Sequence, residues 1–220
     1  MKKWYSALAI ALIAFVSQAQ VVDEKAKELL NAVKDKYTAY NSIQVQFRMT
    51  LIDKASDFTD VNEGELFLKD NMFKLEFGET DITSNGKDLW LYLKGANQVQ
   101  IQTYDKSLLE EEFGFAPNEI FSIDKDDFDY RISGDKTIDG KLCTEIELSP
   151  KDKEKFYYKA KLYVVKTTNE VVKTHFYEKG GVEYEFDIIK QSPNGNLSDA
   201  FFIFDASKHG NDLEIEDFRE

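Results

Sequence analysis

The residues able to carry reaction chemistry are few and scattered. Two histidines occur, His175 and His209. His175 alternates with Phe176 in a run of strand character, the setting of a histidine held by its neighbours rather than of a proton-transferring base. No serine sits in a strand-to-helix elbow pattern, and no histidine pair has the spacing with which one helix face grips a metal. Gly86-Lys87 and Gly140-Lys141 lack the rest of a phosphate-binding loop and read as hairpin turns. Asp124, Asp126, Asp127 and Asp129 begin like a calcium loop. Its sixth position, however, is Asp129 where such a loop needs glycine, and its twelfth is Asp135 where it needs glutamate. A solvated acidic turn is the reading that remains. Cys143 stands alone, so no disulfide frames the fold. It shares strand parity with Glu145 and Glu147, which predicts a surface or half-buried position. The expectation is a protein that is not an enzyme, with no catalytic residue, cofactor or metal.

What the chain has in surplus is apolar surface. It carries 17 Phe and 11 Tyr against three Met and three Pro, so function is to be sought in what those rings cover. One helix is legible: Ala26, Leu29, Leu30, Val33, Tyr37 and Tyr40 recur at three- and four-residue steps, with Asp23 as N-cap. After Asn41-Ser42 the period becomes two. Val45, Phe47, Met49 and Leu51 alternate with polar residues, as do Phe73, Leu75 and Phe77. Asn85-Gly86 between Ile82 and Leu89 predicts a tight hairpin. A second hairpin runs from Val171–Glu178 to Val182–Gln191, and Ala200–Asp205 reads as a last short strand. About ten strands follow one another with no repeated strand-helix alternation, which predicts an up-and-down antiparallel sheet, curled or barrel-like. Residues 107–121 break the pattern: Leu108, Leu109, Phe113, Phe115, Ile120 and Phe121 lack a period of two, and Pro117 interrupts them. In Leu89-Trp90-Leu91-Tyr92-Leu93 both faces are apolar, so both must be covered, by packing or by a ligand.

The N-terminus sets the compartment. Lys2 and Lys3 precede an apolar stretch from Ala7 to Val16, and Ser17-Gln18-Ala19 places small residues before a cut ahead of Gln20. That is the order of a secretory signal peptide over residues 1–19, too short for a lasting anchor. No cysteine follows the stretch, so no lipid anchor is expected. Residues 20–220 then form a single domain of about 200 residues, enough for a sizeable core. The formal charge is −13, and removing Lys2 and Lys3 takes it to −15. Such a chain repels phosphate backbones and anionic headgroups, which argues against nucleic-acid binding and stable membrane anchoring.

Several segments together resemble the periplasmic outer-membrane lipoprotein carrier family (LolA-like) along nearly the whole mature length. They are the helix and strand from Leu29-Leu30 to Phe47, then Glu63-Gly64-Glu65-Leu66-Phe67-Leu68-Lys69 with Met72-Phe73-Lys74-Leu75. Ser84-Asn85-Gly86-Lys87-Asp88-Leu89-Trp90-Leu91-Tyr92 with Asn97-Gln98-Val99 is the most specific match. Pro117 to Phe121 and Ser198-Asp199-Ala200-Phe201-Phe202-Ile203-Phe204 complete it. The resemblance implies a mainly β fold: a curved antiparallel sheet forming an unclosed β-barrel, with an α-helical lid over an apolar cavity. It implies a monomeric periplasmic carrier that binds lipoprotein acyl chains, receiving cargo from an inner-membrane exporter and giving it to an outer-membrane acceptor. The expected cavity residues are Phe47, Phe73, Leu75, Trp90, Tyr92 and Ile101, with strand parity left open. The expected lid residues are Leu29, Leu30, Val33, Tyr37, Phe113, Phe115, Ile120 and Phe121. Where the family commonly has an Arg beside a Pro that holds the empty lid shut, this chain has Leu68-Lys69-Asp70-Asn71-Met72-Phe73, so Lys69 is left as a point-charge substitute. A lipid-sensing module on the same scaffold (an envelope-stress regulator) and a carrier of another lipid are the alternative functions.

Overall fold

Asp23 opens the fold as expected. Its carboxylate accepts from the Ala26 amide at 3.1 Å, and helix α1 follows over Glu24–Thr38. Its other oxygen accepts from the backbone amide of Ile132 at 2.8 Å, so the cap also ties the helix to a distant strand. The structure is a computed structural model and describes residues 23–107, 109, 117, 121 and 125–219.

The strands are β1 (Ile43–Asp53), β2 (Phe58–Lys69), β3 (Met72–Phe77), β4 (Thr80–Ser84), β5 (Asp88–Leu93), β6 (Gln98–Thr103), β7 (Phe128–Ile138), β8 (Lys141–Pro150), β9 (Tyr157–Val165), β10 (Val171–Glu178), β11 (Val182–Pro193) and β12 (Glu214–Asp217). They form one sheet in the order β12-β6-β5-β4-β3-β2-β1-β11-β10-β9-β8-β7. Two antiparallel meanders, β1–β6 and β7–β11, therefore meet along a seam between β1 and β11, from Ile43 opposite Pro193 to Asp53 opposite Val182. The two end strands, β12 and β7, do not pair with each other, so the barrel is unclosed, as the resemblance implies.

Three expectations change. The sheet is not purely up-and-down, because β12 joins β6 in parallel. The expected strand at Ala200–Asp205 is instead a 3-10 turn over Asp199–Phe202, because its phenylalanines pack on the sheet rather than extend it. The Asn85-Gly86 turn is not the tight two-residue kind, since only Gly86 has positive φ. Asn85 instead accepts from the Lys87 and Asp88 amides at 2.9 and 2.7 Å, letting its side chain stand in for backbone in a longer loop.

Helix α1 buries Ala26, Leu30 and Val33 in one apolar cluster with Ile146, Leu148, Leu162, Val164 and Val171. These come from β8, β9 and β10, so the helix lies on the inner face of the second meander. Each fully buried aliphatic side chain of this kind contributes about 1.5–3 kcal/mol. Cys143 is fully buried, not half-exposed as its parity with the two glutamates suggests. It packs with Tyr163, Val165 and Val172, and burial pushes its thiol up, away from reactivity.

Candidate functional site

Strand register decides which predicted cavity residues meet. Residues directly opposite one another share a face, as do residues two apart along a strand. Leu75 lies opposite Leu66 and Ile82, and Ile82 lies opposite Leu91. Phe73 is two residues from Leu75. Phe47 joins the same face through Gly64, which lies between it and Phe77. The inner face thus holds Phe47, Phe73 and Leu75. Trp90 has the opposite parity. The row Phe67, Lys74, Thr83, Trp90, Ile101 runs across the outer face, and Tyr92 lies two residues from Trp90 opposite Val99. The six expected cavity residues therefore divide three and three between the two faces, with Trp90, Tyr92 and Ile101 on the outer one.

Residues after β11 cover that outer row. Phe201 meets Phe67 with ring centroids 4.9 Å apart, Phe204 and His209 meet Tyr92 at 5.4 and 4.3 Å, and Phe202 is fully buried. Lys69, also on the outer face, donates to the Leu197 carbonyl at 2.8 Å and to Asp199 at 2.7 Å. It fastens this C-terminal strap. The two-faced apolar strand β5 is thus covered outside by the chain's own C-terminal segment.

On the inner face, a run of rings crosses five strands. Phe77, Phe47, Phe186 and Phe176 follow one another at centroid distances of 5.8, 6.0 and 5.9 Å. Tyr157 meets Phe176 at 4.9 Å, and Phe156 meets Tyr184 at 5.9 Å. A register shift between Tyr177 and Glu178 turns Tyr157 inward and leaves Tyr158 exposed. Six of these rings, Phe77, Phe186, Phe176, Tyr157, Phe156 and Tyr184, were not among the expected site residues. The signal was present in Tyr184-Glu185-Phe186-Asp187-Ile188, whose rings share one parity and whose acids share the other.

The lid residues that the structure describes sit over this face. Leu30 and Val33 are buried and Leu29 is half-buried. Tyr37 stacks on Phe121 at 4.2 Å with ring planes 3° apart. Its hydroxyl donates to Gln191 at 2.7 Å and accepts from the Val171 amide at 3.0 Å. Gln191 in turn donates to the Val171 carbonyl at 2.7 Å. Burial pushes the Tyr37 phenol up. Phe113, Phe115 and Ile120 lie outside the described residues. Between lid and sheet remains a void of about 20 Å³ lined by Val45, Phe47, Leu66, Leu75, Pro117, Phe121, Phe186 and Ile188. Room for about one water is left, whereas pockets that bind small molecules run to about 300–1,000 Å³. Pro117 and Phe121 fill the remainder.

Two charged clusters lie on the outer face of the second meander. Glu145, buried on β8, is met by Ser133 at 2.5 Å, Lys161 at 2.9 Å and Lys136 at 3.0 Å. Burial alone would raise its pKa, but these donors and Tyr163 outweigh it and bring the carboxyl down to about 2. His175, also outward, lies 2.9 Å from Glu183 and stacks on Tyr177 at 4.1 Å. Among the described residues, no three His, Cys, Asp or Glu side chains are placed to hold a metal ion, and no helix is long and apolar enough to cross a membrane.

Fold and site together define a half-barrel whose apolar interior is stoppered by its own helix and insert. A family model described only as "-like: Uncharacterized protein" matches residues 72–187, just over half of the chain, and the chain belongs to that family. No curated protein sequence matches it. Among solved structures, a Vibrio parahaemolyticus domain described as an outer membrane lipoprotein-sorting protein is similar with a TM-score of 0.50 at 16% identity, covering 81% of this chain and 96% of that one. An uncharacterized conserved protein from Thermus thermophilus gives 0.55 at 15% identity, covering 87% and 98%. The likeness to lipoprotein-carrier folds holds at the level of architecture, where the unclosed barrel expected from the sequence is the one observed.

Proposed function

We propose that this protein is a periplasmic carrier of the acyl chains of lipid-modified proteins. On this reading residues 1–19 are a signal peptide cleaved after Ala19, and residues 20–220 act as one domain. The observation that carries the proposal is the inner face: apolar rings from five strands, with helix α1, Pro117 and Phe121 over it and a void of about 20 Å³ beneath Pro117 and Phe121. Acyl chains would take the place of Pro117 and Phe121 against these rings. Burying each CH₂ contributes about 0.8 kcal/mol, enough to drive uptake without a polar clamp, and an unclamped cargo can be surrendered to a better acceptor. An inner-membrane exporter and an outer-membrane acceptor are the partners this role requires, and the carrier acts as a monomer.

Recovery of the protein from the periplasm, followed by mass spectrometry of what co-purifies, tests the reading. Lipid-modified proteins, with the mature chain starting at Gln20, are the expected result. Free phospholipid or glycolipid alone would replace it with the carriage of another lipid, and a chain still starting at Met1 would overturn the compartment.

A further inference from the structure

Strand β2 is longer than the strand beside it. Its register with β3 begins at Gly64 opposite Phe77, while its register with β1 continues without a bulge to Phe58 opposite Asp53. Among the described residues, nothing pairs with the far side of Phe58–Glu63. Alternate N–H and C=O groups along such an edge point away from the sheet and are open to another strand. Edges are ordinarily blunted by brevity, by a bulge, by lysine or by proline. The edge at β12 is four residues long and carries Glu214, Glu216 and Asp217. The segment Phe58-Thr59-Asp60-Val61-Asn62-Glu63 has neither lysine nor proline, and its Phe58 and Val61 are 53% and 52% exposed.

At Glu63 this edge adjoins a groove of about 520 Å³ that continues over Gly64 and Glu65 to Glu76 and Phe77 of β3. Phe47 and Phe77 stack across Gly64, where a Cβ would come within 2.7 Å of one ring and 2.9 Å of the other. Glu63, Glu65 and Glu76 also line the groove with one cation, Lys94, which is engaged by the Gly78 carbonyl and Asp81. Lys74 pairs with Glu76 at 2.6 Å, and among the described residues Glu65 accepts only from the neutral Gln44 and Gln46 amides. Arg48 engages Glu63 from the neighbouring strand, and Asp57 and Asp60 extend the acidic border along the edge. Backbone groups awaiting a ladder, apolar rings beside them and an excess of carboxylates call for an extended polypeptide carrying lysine or arginine.

We infer that the Phe58–Glu63 edge of β2 binds a basic, extended polypeptide segment by adding it to the sheet as a strand. The inference goes beyond acyl-chain carriage and does not need it, because Glu63, Glu65 and Glu76 have the outer-face parity, away from the interior. Phe47, which lines both, places such a segment next to the mouth of the lipid site.

The test uses the full mature chain and a fluorescein-labelled seven-residue peptide alternating valine and lysine. Binding is expected to weaken about tenfold in Glu63→Lys and Glu65→Lys, and to fall with added salt. Of two versions of the peptide N-methylated at alternate backbone nitrogens in opposite phase, one should lose binding and the other keep it. Equal binding by a valine-glutamate peptide, equal binding by both N-methylated versions, or no binding at all would overturn the inference. So would concentration-dependent dimerisation abolished by Val61→Lys, which would make a second copy of the chain the occupant. Binding of a fluorescent fatty acid, measured in the same preparations, is expected to be untouched by either charge reversal, so failure here and failure of the carrier reading are separable.

Discussion

Single residues show where parity divides the molecule. Phe186 and Trp90 are both large, buried and on strands, yet one lies on the inner face and the other on the outer face, the side of the C-terminal strap. An aspartate in place of Phe186 sets a charge against apolar rings, and is expected to weaken fatty-acid probe binding by at least about tenfold unless the carboxyl protonates. Trp90→Asp should cost stability and leave probe binding by the folded fraction unchanged, as titration with a fluorescent fatty acid will report. Glu145 offers a different check. Its folded pKa lies below the ordinary carboxylate value, so its contribution is present above pH about 4.5 and is lost as pH falls toward 2. Glu145→Gln should therefore melt several degrees below wild type at pH 7, and the difference should shrink steadily in thermal melts taken from pH 5 to pH 3.

Elements carry the device that closes the site. The resemblance directs attention to Lys69 as the latch, but β2 parity turns Lys69 outward to Leu197 and Asp199. On the inner side the fastening runs instead from the insert through the Phe121–Tyr37 stack to Gln191 and Val171 on the sheet. Tyr37→Phe keeps the ring and strands the Val171 amide, so a stability loss of about 1–3 kcal/mol is expected in urea titrations. Tyr37→Leu removes the stack as well and should raise the binding of a hydrophobic dye to the empty protein, where Lys69→Arg should leave it unchanged. Local pattern made much of this legible. The Asp23 cap, the α1 stripe, β1 and β3, and the β10–β11 hairpin all follow from spacing within a dozen residues. Parity of β5 was not legible, because both its faces are apolar and only pairing with Thr83 and Ile101 assigns Trp90 to the outside. Nor was the seam between β1 and β11, whose partners lie far apart in sequence and have no local signal.

At the scale of the whole molecule, the sheet keeps two apolar faces under separate covers. Helix α1, Pro117 and Phe121 cover the inner one, and the strap from Leu197 to His209 covers the outer one along β2, β3 and β5. Uptake of acyl chains on this architecture requires the inner cover to move and leaves the outer cover in place. The chain supplies its own reporter of that division. It has two tryptophans, Trp4 and Trp90, so a chain beginning at Gln20 retains only Trp90, which is 7% exposed beneath the strap's side of the sheet. Titration with a synthetic lipopeptide should show saturable binding with a negative heat-capacity change by calorimetry, because apolar surface leaves water. Over the same titration the Trp90 emission maximum should stay where it is. Lys69→Ala, which frees the strap from its two acceptors, should do the reverse: shift Trp90 emission to the red and leave lipopeptide affinity within about a factor of two, as expected for sites that share no partner. A Trp90 shift that tracks lipopeptide occupancy would show instead that opening of the inner cover is transmitted through β5 to the strap, and that the two faces work as one.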